Sequence, residues 1–285
     1  MTNVIYSIYI KNKDKNLNEK HTHTKNQLEK HYNRLVSVKK EYAKHCDADF
    51  IMFFDDSSYQ NFRKEQKGYE FDIINLYKIK IWEDLAKKYD NVLYLDLDVI
   101  PNTTQSFFKT FDMNKICVHA VNATIENVWS EKDIKNYKNE KIDFETAISH
   151  KDRYSMYVKS MCKKAMLAID NNFNTDYLLA NTAILGANST TIKKLKFTEK
   201  INDLKKILNQ AKKEEFFGEE ISKLYFYNNE IFFHYLLDKY NIEWYNLPTE
   251  WHTMLFRKDQ ITFDLKSAKM IHLINKRFEE LWNVI

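Results

Sequence analysis

Tyr89-Asp90-Asn91-Val92-Leu93-Tyr94-Leu95-Asp96-Leu97-Asp98-Val99-Ile100-Pro101 decides the reading of this chain. The apolar run Val92 to Leu95 reads as a buried strand. It runs into two carboxylates spaced i, i+2, and Pro101 stops it. Side chains two apart on a strand point to one face. That spacing predicts that Asp96 and Asp98 project together near the carboxyl end of a core strand, while Leu97 turns into the fold. Two close carboxylates repel, and burying them is costly unless something positive sits between them. A hard divalent cation such as Mn²⁺ or Mg²⁺ answers that need. Such ions take oxygen ligands and share one or two carboxylates with substrate phosphates.

Outward from this strand the pattern alternates. Val4 to Ile10 reads as a first strand and is followed by a polar loop to about Thr24. Residues 25–46 read as a helix, with Leu28, Tyr32, Leu35 and Val38 at three- and four-residue steps. Phe50 to Phe54 is a second strand, closed by Asp55-Asp56. The three form a βαβ unit, which implies parallel strands. A helix over about 72–89, with Ile79, Trp82, Leu85, Ala86 and Tyr89 on one face, delivers the chain into the aspartate strand. Further strands are expected at Ile116–Val121, Asn181–Ala187, Ile242–Pro248 and Met270–Leu273. Helices are expected at 155–168, in lysine-rich pieces over 189–213, at 228–240, and at the C-terminus around Leu281-Trp282. Residues 130–141 are almost wholly polar and read as a surface loop.

Composition narrows the class. A chain of 285 residues with 44% hydrophobic content suits one large α/β domain with one continuous core. The formal charge of +4, with acids and bases interspersed, does not describe a nucleic-acid binder. The pairs Lys39-Lys40 and Lys212-Lys213 read as solvated helix faces. Cys46, Cys117 and Cys162 are odd in number and widely spaced, so no disulfide framework or cysteine metal site is implied. The first ten residues lack a basic flank and a long apolar core, and no apolar run is long enough to span a bilayer. The expectation is a reduced, cytoplasmic protein.

Other residues carry candidate chemistry. His272 follows a short apolar strand, and a neutral imidazole is a good Mn²⁺ ligand beside carboxylates. Alone, such a histidine is more often structural. Lys276 and Arg277 follow it and offer positive charge to a diphosphate. Lys78 and Lys80 precede the aspartate strand, and on a helix they cannot both face the same way. One of them is expected to face the anionic site. Asn181 at a strand start, and Asn228-Asn229-Glu230 at a helix start, could bind sugar hydroxyls, although Asn228 reads equally as a helix cap.

In this order the elements resemble the GT-A glycosyltransferases, most closely glycosyltransferase family 8. The resemblance rests on Tyr77-Lys78-Ile79, Leu93-Tyr94-Leu95-Asp96-Leu97-Asp98, Asn181 to Gly186, Asn228-Asn229-Glu230 and His272-Leu273-Ile274-Asn275-Lys276. The aspartate block matches well and the others loosely, over about residues 4–282. The resemblance implies a Rossmann-like GT-A fold with a mostly parallel central sheet, filling residues 1–285 as one domain. Residues 1–125 would form the nucleotide-sugar half, and 126–285 the acceptor side with the C-terminal metal and diphosphate segment. It implies Asp96, Asp98 and His272 as ligands to Mn²⁺ or Mg²⁺. Lys78, Asp96, Leu97, Asp98 and Lys276 would bind the donor. Asn181, Asn229 and Glu230 would lie by the transferred sugar, with Asp98 part of the catalytic set. The donor would be a nucleotide sugar, UDP-linked by preference, and the acceptor a glycan or other hydroxyl. Family 8 enzymes retain the anomeric configuration. Four departures stand out: Lys276 comes two residues early, Asn275 replaces a glycine, no Pro-Trp follows, and Asn229 replaces a glutamine. If the chemistry were inverting, Glu230 or Asp176 would serve as base. Two other classes share some of these features: a sugar nucleotidyltransferase, which would carry a glycine-rich phosphate loop that residues 9–13 lack, and a non-catalytic sugar- or nucleotide-binding protein.

Overall fold

The structure, a computed structural model, describes residues 1–11, 19–66, 70–121, 179–203, 228–255, 265–274 and 276–285. Several expectations fall outside these residues: the polar segment 130–141, the helix at 155–168, Cys162, Asp176, Lys212-Lys213 and Asn275.

The N-terminal half follows the alternating pattern. Strand β1 (Asn3–Ile8) leads to helix α1 (Glu19–His45) and strand β2 (Asp49–Phe53). Helices α2 (Ser57–Gln66) and α3 (Glu70–Leu85) lead to β3 (Asn91–Leu95) and the short β4 (Val99–Pro101). Helix α4 (Phe107–Thr110) and strand β5 (Ile116–Val121) follow. Then come β6 (Leu179–Asn188), α5 (Ser189–Leu195), α6 (Asn228–Lys239) and β7 (Trp244–Asn246). The chain ends with β8 (Thr253–Leu255), β9 (Met270–Leu273) and α7 (Phe278–Trp282).

Six strands form one sheet in the order β2-β1-β3-β6-β5-β7. All are parallel except β6, which runs antiparallel to both β3 and β5. The reversal brings the start of β6 beside the carboxyl end of β3, where Leu95 pairs with Ile184. A small second sheet, β4-β9-β8, lies at that same end, with Val99 opposite His272.

Strand β3 is buried throughout because both faces of the sheet are covered. Val92 and Tyr94 pack on one side with Tyr6, Tyr77 and Trp82, while Leu93 and Leu95 pack on the other with Tyr42 and Cys46. The expected single core is thus divided by the sheet into two apolar clusters. A third cluster lies under the small sheet and includes Leu97, Ile271 and Phe278. Cys46 and Cys117 are buried free thiols. No helix among the described residues is long and apolar enough to cross a membrane.

Three local expectations need correction. Helix α1 starts at Glu19, so the polar segment to Thr24 is partly helical. Helix α2 leaves little trace in the sequence, because Ser57–Gln66 is mostly polar and only Tyr59, Phe62 and Gln66 are buried. Strand β3 stops at Leu95, before the aspartates. Asp96 and Asp98 therefore do not share a strand face.

Candidate functional site

A turn, not a pleat, brings the two aspartates together. Val99 N–H donates to Asp96 O at 3.0 Å and closes a reverse turn over Asp96-Leu97-Asp98-Val99. Three elements hold its backbone. Asp96 N–H donates to Ala183 O of β6 at 2.8 Å. Leu273 N–H of β9 donates to Asp98 O at 3.0 Å. From α1, Lys39 Nζ donates to Leu97 O at 2.8 Å and Val99 O at 2.6 Å. Lys39 is fully buried, against the expectation of a solvated face. Its burial pulls its ammonium down to about 7, although Asp98 and Asp96 work the other way. The signal is present in the sequence: Lys39 falls in the series Leu35, Lys39, Tyr42, Cys46, at three- and four-residue steps.

Leu97 turns inward as expected and is only 6% exposed. Only its main chain is left to meet a ligand. Asp98 is buried and Asp96 partly so. Asp98 Oδ2 collects two partners, His272 Nε2 at 3.2 Å and Lys276 Nζ in direct contact. Burial opposes the charge on Asp98, but Lys276 and then His272 outweigh it and hold its carboxyl well below the usual range. Asp96 Oδ1 accepts from Tyr94 O–H, and its Oδ2 lies 3.7 Å from Lys78 Nζ. Burial raises the Tyr94 phenol well above its ordinary value, with Asp96 adding to the effect, so Tyr94 stays protonated and donates.

Lys78 is the lysine of the pair that faces the site. It is buried beside Asp96, while Lys80 pairs with Asp84 one turn along α3. Lys78 O accepts from Tyr6 O–H at 2.5 Å, and Lys78 Nζ stands 5.3 Å from the centre of the Tyr94 ring. The Tyr6 and Tyr94 rings lie 4.9 Å apart. A tyrosine thus meets this lysine at each end, Tyr6 by a hydrogen bond to its carbonyl and Tyr94 by its ring near the ammonium.

One ligand atom from each of Asp96, Asp98 and His272 lies within 4.8 Å of the others. Two carboxylates and an imidazole suit Mn²⁺ or Mg²⁺. The second nitrogen of His272, Nδ1, lies 3.0 Å from Nε2 of the buried His252. Metal-binding histidines commonly have such an outer partner, and nothing in the sequence marks His252 as one.

Glu230, which feels the charges of both Lys78 and Asp96, accepts at Oε1 from Thr182 N–H at 3.3 Å. Its burial raises the carboxyl to about 7, partly countered by Lys78 and the Thr182 amide, with Asp96 adding to the rise. Asn229 is buried and donates from Nδ2 to Thr182 Oγ1 at 2.7 Å. Asn181 Oδ1 accepts from Ala183 N–H at 3.0 Å. The structure therefore gathers Asp96, Asp98, His272, Lys78 and Lys276 into one cluster, with Glu230 close enough to feel the charges of Lys78 and Asp96. The described polar contacts of Asn181 and Asn229 are made to β6 itself. Lys276 takes a positive φ of 56°, a backbone conformation that few non-glycine residues adopt, which turns its side chain back to Asp98.

No protein-family model matches the sequence, and no curated protein matches it. Among solved structures, the chain is similar to a glycosyltransferase involved in the glycosylation of the major capsid of PBCV-1, at 11% identity and a TM-score of 0.45, over 100% of this chain and 99% of that one. It is similar to mouse xyloside xylosyltransferase 1 in its apo form, at 10% identity and 0.46, over 96% and 98%. It is also similar to the galactosyltransferase LgtC in complex with donor and acceptor sugar analogues, at 10% and 0.47, over 98% and 95%. At this distance a shared outline does not carry chemistry across, and the functional reading rests on the side chains.

Proposed function

We propose that this chain is a metal-dependent glycosyltransferase of the GT-A type. It would transfer a sugar from a nucleotide donor, UDP-linked by preference, to a hydroxyl of a glycan or other acceptor. One observation carries the reading. Asp96, Asp98 and His272 converge at the carboxyl ends of the parallel strands, flanked by Lys78 and Lys276. Ligands of open α/β sheets bind outside that end. Two carboxylates and a histidine form a donor set for Mn²⁺ or Mg²⁺, and two lysines suit the surplus charge of a diphosphate.

Asp96, Asp98 and His272 would hold the cation. When bound, it supplies a Lewis acid that offsets charge developing on the departing nucleoside diphosphate. Lys276 would pair with the diphosphate. Lys78 would hold Asp96 in place and face the donor sugar. Leu97 would contribute only backbone atoms. Residues 1–285 would act as one domain, with the donor half at 1–125 and the acceptor side with the C-terminal segment at 126–285.

Transfer with retention needs no strong protein base and is the reading adopted. One observation favours the alternative. A Glu230 carboxyl near 7 is tuned for proton transfer at neutral pH, as an inverting enzyme requires. In that case Glu230 would deprotonate the acceptor hydroxyl, with Asn181 and Asn229 shaping the β6 wall beside it.

The test is a hydrolysis and transfer screen over UDP-, GDP- and other sugar nucleotides, with Mn²⁺ or with EDTA. Turnover of a UDP-sugar only in the presence of a divalent cation is the expected result. Full activity in EDTA refutes the metal role. Proton NMR coupling constants at the anomeric carbon of the product then decide between retention and inversion.

A further inference from the structure

The turn that carries both aspartates has its carbonyl groups claimed from opposite sides. Asp98 O is taken by β9, while Leu97 O and Val99 O, the carbonyls on either side of it, are both taken by Lys39 Nζ. A reverse turn exposes carbonyls that no neighbouring strand reaches, and here they point into the fold beneath α1. A buried carbonyl without a donor costs about 1–3 kcal/mol, so a turn left without Lys39 would shift to find partners. Any such shift moves Asp98, which sits between the two carbonyls. The arrangement does not depend on the charge of the amine. An ammonium has three N–H groups and a neutral amine two, and either serves both carbonyls.

We propose that Lys39 is a positioning residue that fixes the Asp96–Val99 turn in the geometry needed to bind a cation with His272. The inference rests on the metal reading given above. Lys39 acts through the backbone of the turn, from a helix whose next buried residues, Tyr42 and Ala43, belong with Leu93 and Leu95 of β3 to one apolar cluster. That makes α1 the rigid back wall of the site.

The experiment measures UDP affinity by calorimetry, in Mn²⁺ and in EDTA, for the full-length wild type, Lys39→Met, Lys39→Gln and Lys40→Met, a change at the exposed neighbour. Each measurement is made well below the melting temperature of the variant. Methionine keeps the length and removes the amine that donates to both carbonyls. Glutamine keeps two N–H groups on a shorter arm. The expected result for Lys39→Met is an affinity loss in Mn²⁺ of about tenfold or more, the scale found for outer-shell partners of metal ligands, with no change in EDTA. Lys39→Gln should fall between Lys39→Met and wild type, and Lys40→Met should equal wild type. A role confined to stability lowers the melting temperature and leaves the Mn²⁺-dependent affinity of the folded protein intact, which overturns the proposal. If Lys39→Met does not fold, Lys39→Gln decides by the same criterion: wild-type affinity in Mn²⁺ overturns the inference. Wild-type protein that binds UDP equally in Mn²⁺ and in EDTA overturns the metal reading itself and this inference with it, and that outcome is visible before any variant is made.

Discussion

His252 Nε2 lies 3.0 Å from His272 Nδ1, so the imidazole that faces Asp98 is held from behind by a second, wholly buried imidazole. Burial holds the His252 ring well below the usual histidine range, with His272 and His119 adding to the effect, so it is neutral. The two rings meet through these nitrogens, and the other nitrogen of His272, Nε2, faces Asp98 Oδ2 at 3.2 Å, on the side where the cation would sit. His272→Ala removes a proposed ligand and orphans His252 together. Mn²⁺-dependent UDP affinity should fall about tenfold or more, and stability by about 1–3 kcal/mol. Calorimetry and thermal melts measure the two separately. Loss of stability with affinity unchanged would make His272 a core residue only.

Asp98→Asn should abolish turnover, by a hundredfold or more on the order of other electrostatic deletions at reacting centres, with the circular dichroism spectrum unchanged. The acid limb of stability should change too. The depressed carboxyl of Asp98 stabilises the fold above the ordinary carboxylate range, and that contribution is lost as pH falls through its folded value. The Asp98→Asn variant should therefore lose less stability than wild type on acidification below about pH 4. Parallel acid denaturation curves would expose an error in this assignment.

Lys78 and Lys80 make a controlled pair two residues apart. Lys78→Met should cost donor turnover, about tenfold or more given an electrostatic role at the site, because it strips the buried partner from Asp96. Lys80→Met breaks only an i, i+4 pair with Asp84, worth about 0.3–0.5 kcal/mol. Steady-state kinetics on both variants should rank them in that order. Equal activities would remove Lys78 from the site.

Glu230 should give the fold an unusual pH slope. Its folded carboxyl lies at about 7, above the ordinary glutamate value, so between roughly pH 4.5 and 7 the folded state binds the extra proton. Stability then declines as pH rises through that window and levels off above it. Glu230→Gln should flatten the decline, gaining up to about 3 kcal/mol at pH 8 relative to pH 5. Urea denaturation in EDTA at the two pH values tests the sign. An unchanged or steeper decline in the variant would show that the folded Glu230 carboxyl is not raised.

Gly186 tests the packing of β6. A methyl group there would overlap Phe107 Cε1, and the Phe107 ring is itself fully buried. Gly186→Ala should destabilise the protein by about 1–3 kcal/mol through overpacking. Gly186→Ala with Phe107→Leu should recover part of the loss, as double-mutant melts would show. A neutral single variant would mean that the ring has room to move.

Much of this fold is written in periodic apolar residues. Val92 to Leu95, Met270 to Leu273 and the α3 face around Trp82 fall where spacing places them, because burial on a regular element leaves a regular trace. The aspartate turn is less legible. The i, i+2 spacing reads as a pleat, yet the pair converges through a chain reversal, and spacing alone does not separate the two. Composition scores Lys39 as solvated, whereas its place on the apolar face of α1 is the better guide. His252 leaves no signal: it sits just after a single helical turn, and its partner lies on another strand. Lys78 is resolved from Lys80 only by three-dimensional packing.

Asp98 and Lys276 meet across 178 positions of the chain, and this separation sets an order of events during synthesis. All six strands of the large sheet have been made once β7 ends at Asn246. A nascent chain halted there carries both aspartates and the lysines of α1 and α3. It lacks His272, Lys276 and the bond from Leu273 N–H that holds Asp98 O. Such a chain contains every strand of the main sheet but only two of the three proposed cation ligands. The residues after β7 thus bring the last of the cluster to a sheet whose strands are already made.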